Sequence, residues 1–128
     1  MAQKVLVVDD EVYIRTLLKQ VLEDFSDLGV DVLTANDVPQ AEDVIEKDKP
    51  DVLILDIMLP GPSGYELCRR IKATPRLKDI YVIVLTAKSQ AVDRIHSMEA
   101  GADEYIPKPF KTRELVERVA AALGIERV

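Results

Sequence analysis

Apolar and polar positions follow two rhythms along the chain. Residues 4–8, 52–55 and 81–85 are near-continuous runs of Val, Ile and Leu, the first two followed directly by aspartate. That is the pattern of strands covered on both faces. Residues 30–35 and 104–106 are shorter or interrupted by polar side chains, as edge strands are. Between the runs the period lengthens. Ile14, Leu17, Leu18, Val21, Leu22 and Phe25 form one helical stripe that predicts a single first helix ending before Gly29. A second helix starts at Asp37, with Pro39 in its first turn and Gln40 three residues after the cap, and turns Ala41, Val44 and Ile45 inward before Pro50.

The third helix opens on a Ser63-x-x-Glu66 capping box, carries Leu67, Cys68 and Ile71, and is limited by Pro75. A fourth is expected over residues 90–100, stopped by Gly101. A fifth follows Thr112 through Leu115, Val116, Val119 and Leu123 to Gly124. Five strands alternating with five helices on short connections imply an α/β domain, a parallel sheet with helices on both faces. Ligands of such sheets bind beyond the carboxyl ends of the strands. The residues at those ends are Asp9 and Asp10, Asp56, Thr86 and Lys108.

Composition narrows the field. The 128 residues are 48% apolar and 31% charged, ordinary for one globular domain and too apolar for a disordered chain. No apolar run approaches the roughly 18 residues of a membrane span, and no export signal is visible. The single cysteine, Cys68, can form no intramolecular disulfide and reads as a small core residue, so the cytoplasm is the expected location. A net charge of −6 without a segregated basic patch argues against binding DNA.

Three carboxylates at neighbouring strand ends would repel by about 4 kcal/mol per pair at 4 Å and an effective dielectric near 20. A cation has to offset this. All the available donors are oxygen, which suits Mg²⁺ and not Zn²⁺ or copper, and such a site is completed by a phosphoryl group. The chemistry suggested is phosphoryl transfer: Asp56 as nucleophile, Asp10 with Asp9 on the metal, Lys108 and the Thr86 hydroxyl on phosphate oxygens. Each residue alone also has a plain structural reading: Asp9 and Asp10 as a helix N-cap, Asp56 as a turn residue, Thr86 as a strand-end hydroxyl, Lys108 as a solvated lysine. Their joint placement favours the functional one.

Four motifs carry a family signature. Val5-Leu-Val-Val-Asp-Asp-Glu11, Leu53-Ile-Leu-Asp-Ile-Met-Leu-Pro-Gly-Pro-Ser-Gly64, Val82-Ile-Val-Leu-Thr-Ala87 and Gly101-Ala-Asp-Glu-Tyr-Ile-Pro-Lys-Pro-Phe110, in order and on the expected strands, closely resemble the receiver domain of bacterial two-component response regulators. The resemblance spans essentially the whole chain and implies a doubly wound, flavodoxin-like three-layer fold with strand order 2-1-3-4-5. It implies phosphorylation of Asp56 by a histidine kinase or histidine phosphotransfer protein, with Mg²⁺ (or Mn²⁺) held by Asp9, Asp10, Asp56 and the main-chain carbonyl of Met58. Thr86 and Lys108 match the switch hydroxyl and phosphate-binding lysine, Tyr105 the aromatic switch, and Lys108–Pro109 a bond usually cis. Tyr105 also reads as a half-buried strand aromatic.

The implied switch changes the face of the fourth helix, fifth strand and fifth helix. Arg94, Asp103, Glu104, Glu114 and Arg118 there resemble the charges of phosphorylation-favoured receiver homodimers, and equally a solvated charged surface. His96 reads as an exposed residue and not a phosphodonor. Residues 1–128 are expected to be one receiver domain without an effector domain, controlling a downstream effector or missing output domain. It is not expected to be an enzyme beyond self-catalysed phosphoryl transfer and autodephosphorylation. A phosphatase of the haloacid dehalogenase type is the main alternative, but its general-acid aspartate would fall at Met58. A flavodoxin-like cofactor binder would have to seat a phosphate against Asp9, Asp10 and Glu11, and a purely structural interaction module would take no phosphate at all.

Overall fold

The computed structural model describes residues 3–57, 64–86, 95 and 97–125. Its five strands are β1 (Gln3–Val8), β2 (Val30–Ala35), β3 (Val52–Asp56), β4 (Tyr81–Thr86) and β5 (Glu104–Pro107). They form one sheet of order β2-β1-β3-β4-β5, every pairing parallel. β3 lies in the middle and is buried along its whole length, which is why its sequence shows no alternation. The pattern at β2 is interrupted because it is an edge, with Asp31 and Thr34 exposed.

Successive side chains of a strand point to opposite faces, and the core divides accordingly. On one face Leu6, Val8, Leu53, Leu55, Val82 and Val84 pack with Ala41 and Ile45 of α2 (Val38–Asp48) and with Leu67, Cys68 and Ile71 of α3 (Gly64–Ala73). On the other, Val5, Val7, Ile54, Ile83, Leu85 and Ile106 meet Leu18 and Leu22 of α1 (Val12–Leu22) and Leu115, Val119 and Leu123 of the C-terminal helix (Thr112–Leu123). The result is three layers, helices on both faces of the sheet.

The single first helix expected through Phe25 is corrected by the structure. α1 stops at Leu22 and tightens into a 3₁₀ segment, Glu23–Leu28, closed by Gly29 at φ 80°. Asp24, Ser26 and Asp27 weaken an α-helix, while the tighter turn still delivers Phe25 to the core. α2 begins as its sequence suggests: the Asp37 side chain accepts the Gln40 amide at 2.8 Å, with Pro39 in the first turn. Ser63, His96 and most of the expected fourth helix lie outside the described residues; Ser97 to Glu99 are helical, and Gly101 follows at φ 93°.

Candidate functional site

The parallel register brings four strand ends to one edge. Val8 pairs with Leu55, so Asp9 and Asp56 leave adjacent strands side by side. Asp56 pairs with Leu85, next to Thr86, and Thr86 pairs with Pro107, next to Lys108. The Lys108 amide donates to the Thr86 carbonyl at 2.6 Å, tying the fourth and fifth ends together.

Asp9 and Asp56 are buried polar residues, 0% and 3% exposed, and Asp10 is exposed beside them. One carboxylate oxygen from each of the three lies within 4.8 Å of the others. Lys108 Nζ stands 3.2 Å from Asp9 Oδ2 and 3.3 Å from Asp56 Oδ2. Burial, joined by the negative charge of Asp56, pushes the Asp9 carboxyl above its ordinary range despite the Glu11 amide and the Lys108 charge. For Lys108, burial works to lower the ammonium, but Asp56 and Asp9 outweigh it and hold the group above its ordinary value.

The donor set fits a hard divalent cation: three convergent carboxylates, all oxygen, two of them desolvated. The helix-cap reading of the acidic pair fails, because the N-cap of α1 is Glu11, whose side chain makes no capping bond. Asp9 instead accepts the Glu11 amide on Oδ1 at 2.9 Å and leaves Oδ2 to the lysine.

Thr86 is fully buried at the end of β4. Tyr105 is half-buried on the edge strand, in register with Val84. The Lys108–Pro109 peptide bond is cis. Met58 and Arg94 fall outside the described residues. The other charges of the expected dimer face are joined within the chain. Asp103 Oδ2 accepts Lys72 Nζ at 2.7 Å and the Val82 amide at 2.8 Å. Glu104 takes the Tyr81 hydroxyl at 2.7 Å and a contact from Arg118, which also reaches Glu114 at 3.2 Å.

One residue of this region escapes the sequence reading. Arg15 donates from its guanidinium to the Asp9 carbonyl at 2.6 Å. The only sequence signal is spacing: one helical turn after Glu11, its side chain folds back over the end of β1.

The family model of the response regulator receiver domain matches residues 5–120. The chain is 47% identical over 119 residues to the phosphate regulon transcriptional regulatory protein PhoB of Pseudomonas aeruginosa, covering 93% of this chain and 51% of that protein. It therefore spans about half the length of this curated relative. Among solved structures, a putative response regulator from Chloroflexus aurantiacus superposes with a TM-score of 0.86 at 37% identity, covering 97% of this chain and 99% of that one. The BeF3-activated N-terminal receiver domain of Klebsiella pneumoniae RstA gives 0.81 at 31%, covering 94% and 98%. With its sheet order, its acidic strand ends and its lysine all in place, the chain belongs to the response regulator receiver domain family of two-component signalling.

Proposed function

We propose that Asp56 accepts a phosphoryl group from a phosphohistidine on a histidine kinase or histidine phosphotransfer protein, and that the modification changes a surface read by an effector. The observation that carries this is the Lys108 ammonium held between the buried carboxylates of Asp9 and Asp56 at one sheet edge. A simple salt bridge would need one acid; here one lysine bridges two buried acids, and an exposed third carboxylate converges on the same two acids.

An Asp56 carboxylate oxygen attacks phosphorus while the donor P–N bond breaks; the imidazole nitrogen leaves with the bonding pair and takes up a proton. Asp9, Asp10, Asp56 and the Met58 main-chain carbonyl would hold Mg²⁺ or Mn²⁺, which would supply positive charge to the transferring oxygens. Lys108 exchanges its carboxylate partner for a phosphoryl oxygen, and the Thr86 hydroxyl donates to another. Val12 and Tyr13, 66% and 72% exposed on the first turn of α1, offer the donor an apolar surface beside the acidic loop.

The phosphorylated state is one of two populations. Its new dianion draws Thr86 inward, Tyr105 turns into the space released, and the face carrying Asp103, Glu104, Glu114 and Arg118 is rebuilt to favour a homodimer or an effector. Residues 1–128 act as a single receiver unit in the cytoplasm, making no direct contact with nucleic acid. The effector is a separate protein or a domain joined to this one; the relative from Pseudomonas aeruginosa is a transcriptional regulatory protein about twice as long. Turnover of external phosphate esters is not part of the function, since Met58 stands where the haloacid dehalogenase type has its general acid.

The test is incubation with Mg²⁺ and acetyl phosphate or beryllofluoride, followed by intact mass and NMR. With acetyl phosphate the wild type gains a phosphoryl mass increment, and with either reagent it shifts resonances of β5 and the C-terminal helix; Asp56→Asn does neither. A wild type inert to both reagents overturns the reading.

A further inference from the structure

We infer that Arg15 is a positioning residue for the cation site, acting through the main chain of the Asp9–Asp10 loop; this rests on the phosphoacceptor reading above. The guanidinium donates to the Asp9 carbonyl at 2.6 Å, while the Arg15 amide donates to the Glu11 carbonyl at 3.1 Å. One residue thus grips the loop at both ends, with Asp10 between them. The Asp9 amide is itself tied to the Ala35 carbonyl at 3.2 Å and its Oδ1 to the Glu11 amide at 2.9 Å.

Asp9 is therefore held at its amide, its carboxylate and its carbonyl, and the Arg15 bond is the one made to the peptide plane that joins Asp9 to Asp10. Asp10 takes its direction from that plane, because its side chain is exposed and not fixed by burial. A charge-assisted bond from a guanidinium to a carbonyl is stronger than a neutral one and suits a rigid clamp. The positive charge has the opposite influence, since it repels an arriving cation. Positioning and repulsion predict opposite signs for removal of the group.

The experiment is Mg²⁺ titration of the full chain, followed by calorimetry and amide NMR, in the wild type, Arg15→Met and Arg15→Lys, with unfolding temperatures measured without metal. Met keeps the apolar stem, and Lys keeps charge and one donor. The expected result is a fivefold to tenfold weaker Mg²⁺ affinity in Arg15→Met, with recovery to within about threefold of the wild type in Arg15→Lys. Unchanged or tighter binding in Arg15→Met overturns the positioning role. So does a loss in Arg15→Lys equal to that in Arg15→Met. If Arg15→Met does not fold, Arg15→Gln, which keeps a neutral donor and removes the charge, takes its place under the same criteria. A wild type that binds no Mg²⁺ removes both this inference and the phosphoacceptor reading, whereas a wild type that binds and an Arg15→Met variant that binds equally remove this inference alone.

Discussion

Lys108 Nζ sits 3.2 Å from Asp9 Oδ2 and 3.3 Å from Asp56 Oδ2, so one ammonium is shared between two buried acids at adjacent strand ends. The same ammonium opposes a second cation at those carboxylates. Lys108→Ala is therefore expected to lower metal-free stability by about 3 kcal/mol, the scale of leaving buried charge without its partner. It is also expected to tighten Mg²⁺ binding about tenfold, roughly 1.4 kcal/mol. Urea unfolding with and without Mg²⁺ reads both: the variant should unfold earlier without metal and gain more from adding it. Equal gains in variant and wild type would contradict the competition.

Asp103 carries a structural duty alongside its surface position. Its Oδ2 accepts both Lys72 Nζ and the Val82 amide, while the Asp103 amide donates to the Val82 carbonyl at 2.9 Å. Asp103→Ala strands the Val82 amide at the start of a buried strand and should cost about 1–3 kcal/mol. Glu114→Ala removes only an exposed i, i+4 pair with Arg118 and should cost less than about 0.5 kcal/mol. Chemical denaturation of the two variants in parallel checks the contrast.

Alkaline pH probes two acids outside the carboxylate cluster. Burial raises the Cys68 thiol from 9.0 to about 11. Burial, with the hydrogen bond to Glu104, raises the Tyr81 hydroxyl from 10.0 to about 12. The folded chain keeps both protons at a pH where the unfolded chain has released them. Stability from these groups is thus fully present below about pH 9 and is lost as pH rises toward 11 and 12. Denaturation midpoints should fall over that window. Alkylation of Cys68 at pH 8 should be slow in the native state and rapid in urea.

The centre of the molecule tolerates little. Leu53 and Ile54 point to opposite faces of β3, each fully buried, one in each half of the core. Either change to Ala should cost about 3–4 kcal/mol. Because both act on the sheet that carries Asp56, the unfolding midpoint and the capacity to bind beryllofluoride should fall together on warming. A variant that loses binding while still folded would contradict this coupling.

Much of this was legible from pattern alone, for physical reasons. A parallel strand buried on both faces has nowhere to put a polar side chain, so β1, β3 and β4 announce themselves, and the aspartates of the first two and Thr86 of the third follow. The Ser-Asp-rich stretch after Leu22 is ambiguous by pattern, because a stripe continued through Phe25 fits an α-helix and a 3₁₀ turn alike. Side-chain partners across the sheet were out of reach. Nothing in the spacing of Asp103 and Lys72, or of Glu104 and Tyr81, announces that they touch, since that depends on how neighbouring strands are staggered. Arg15 was missed for a related reason: its target is a carbonyl, and carbonyls carry no letter in a sequence.

The bridge from Lys108 to Asp9 closes over 99 positions of chain. A polypeptide still emerging during synthesis, with β5 not yet laid against β4, has its acids without their counter-charge. The bridge that draws these charges together thus forms only when nearly the whole chain has been made and folded.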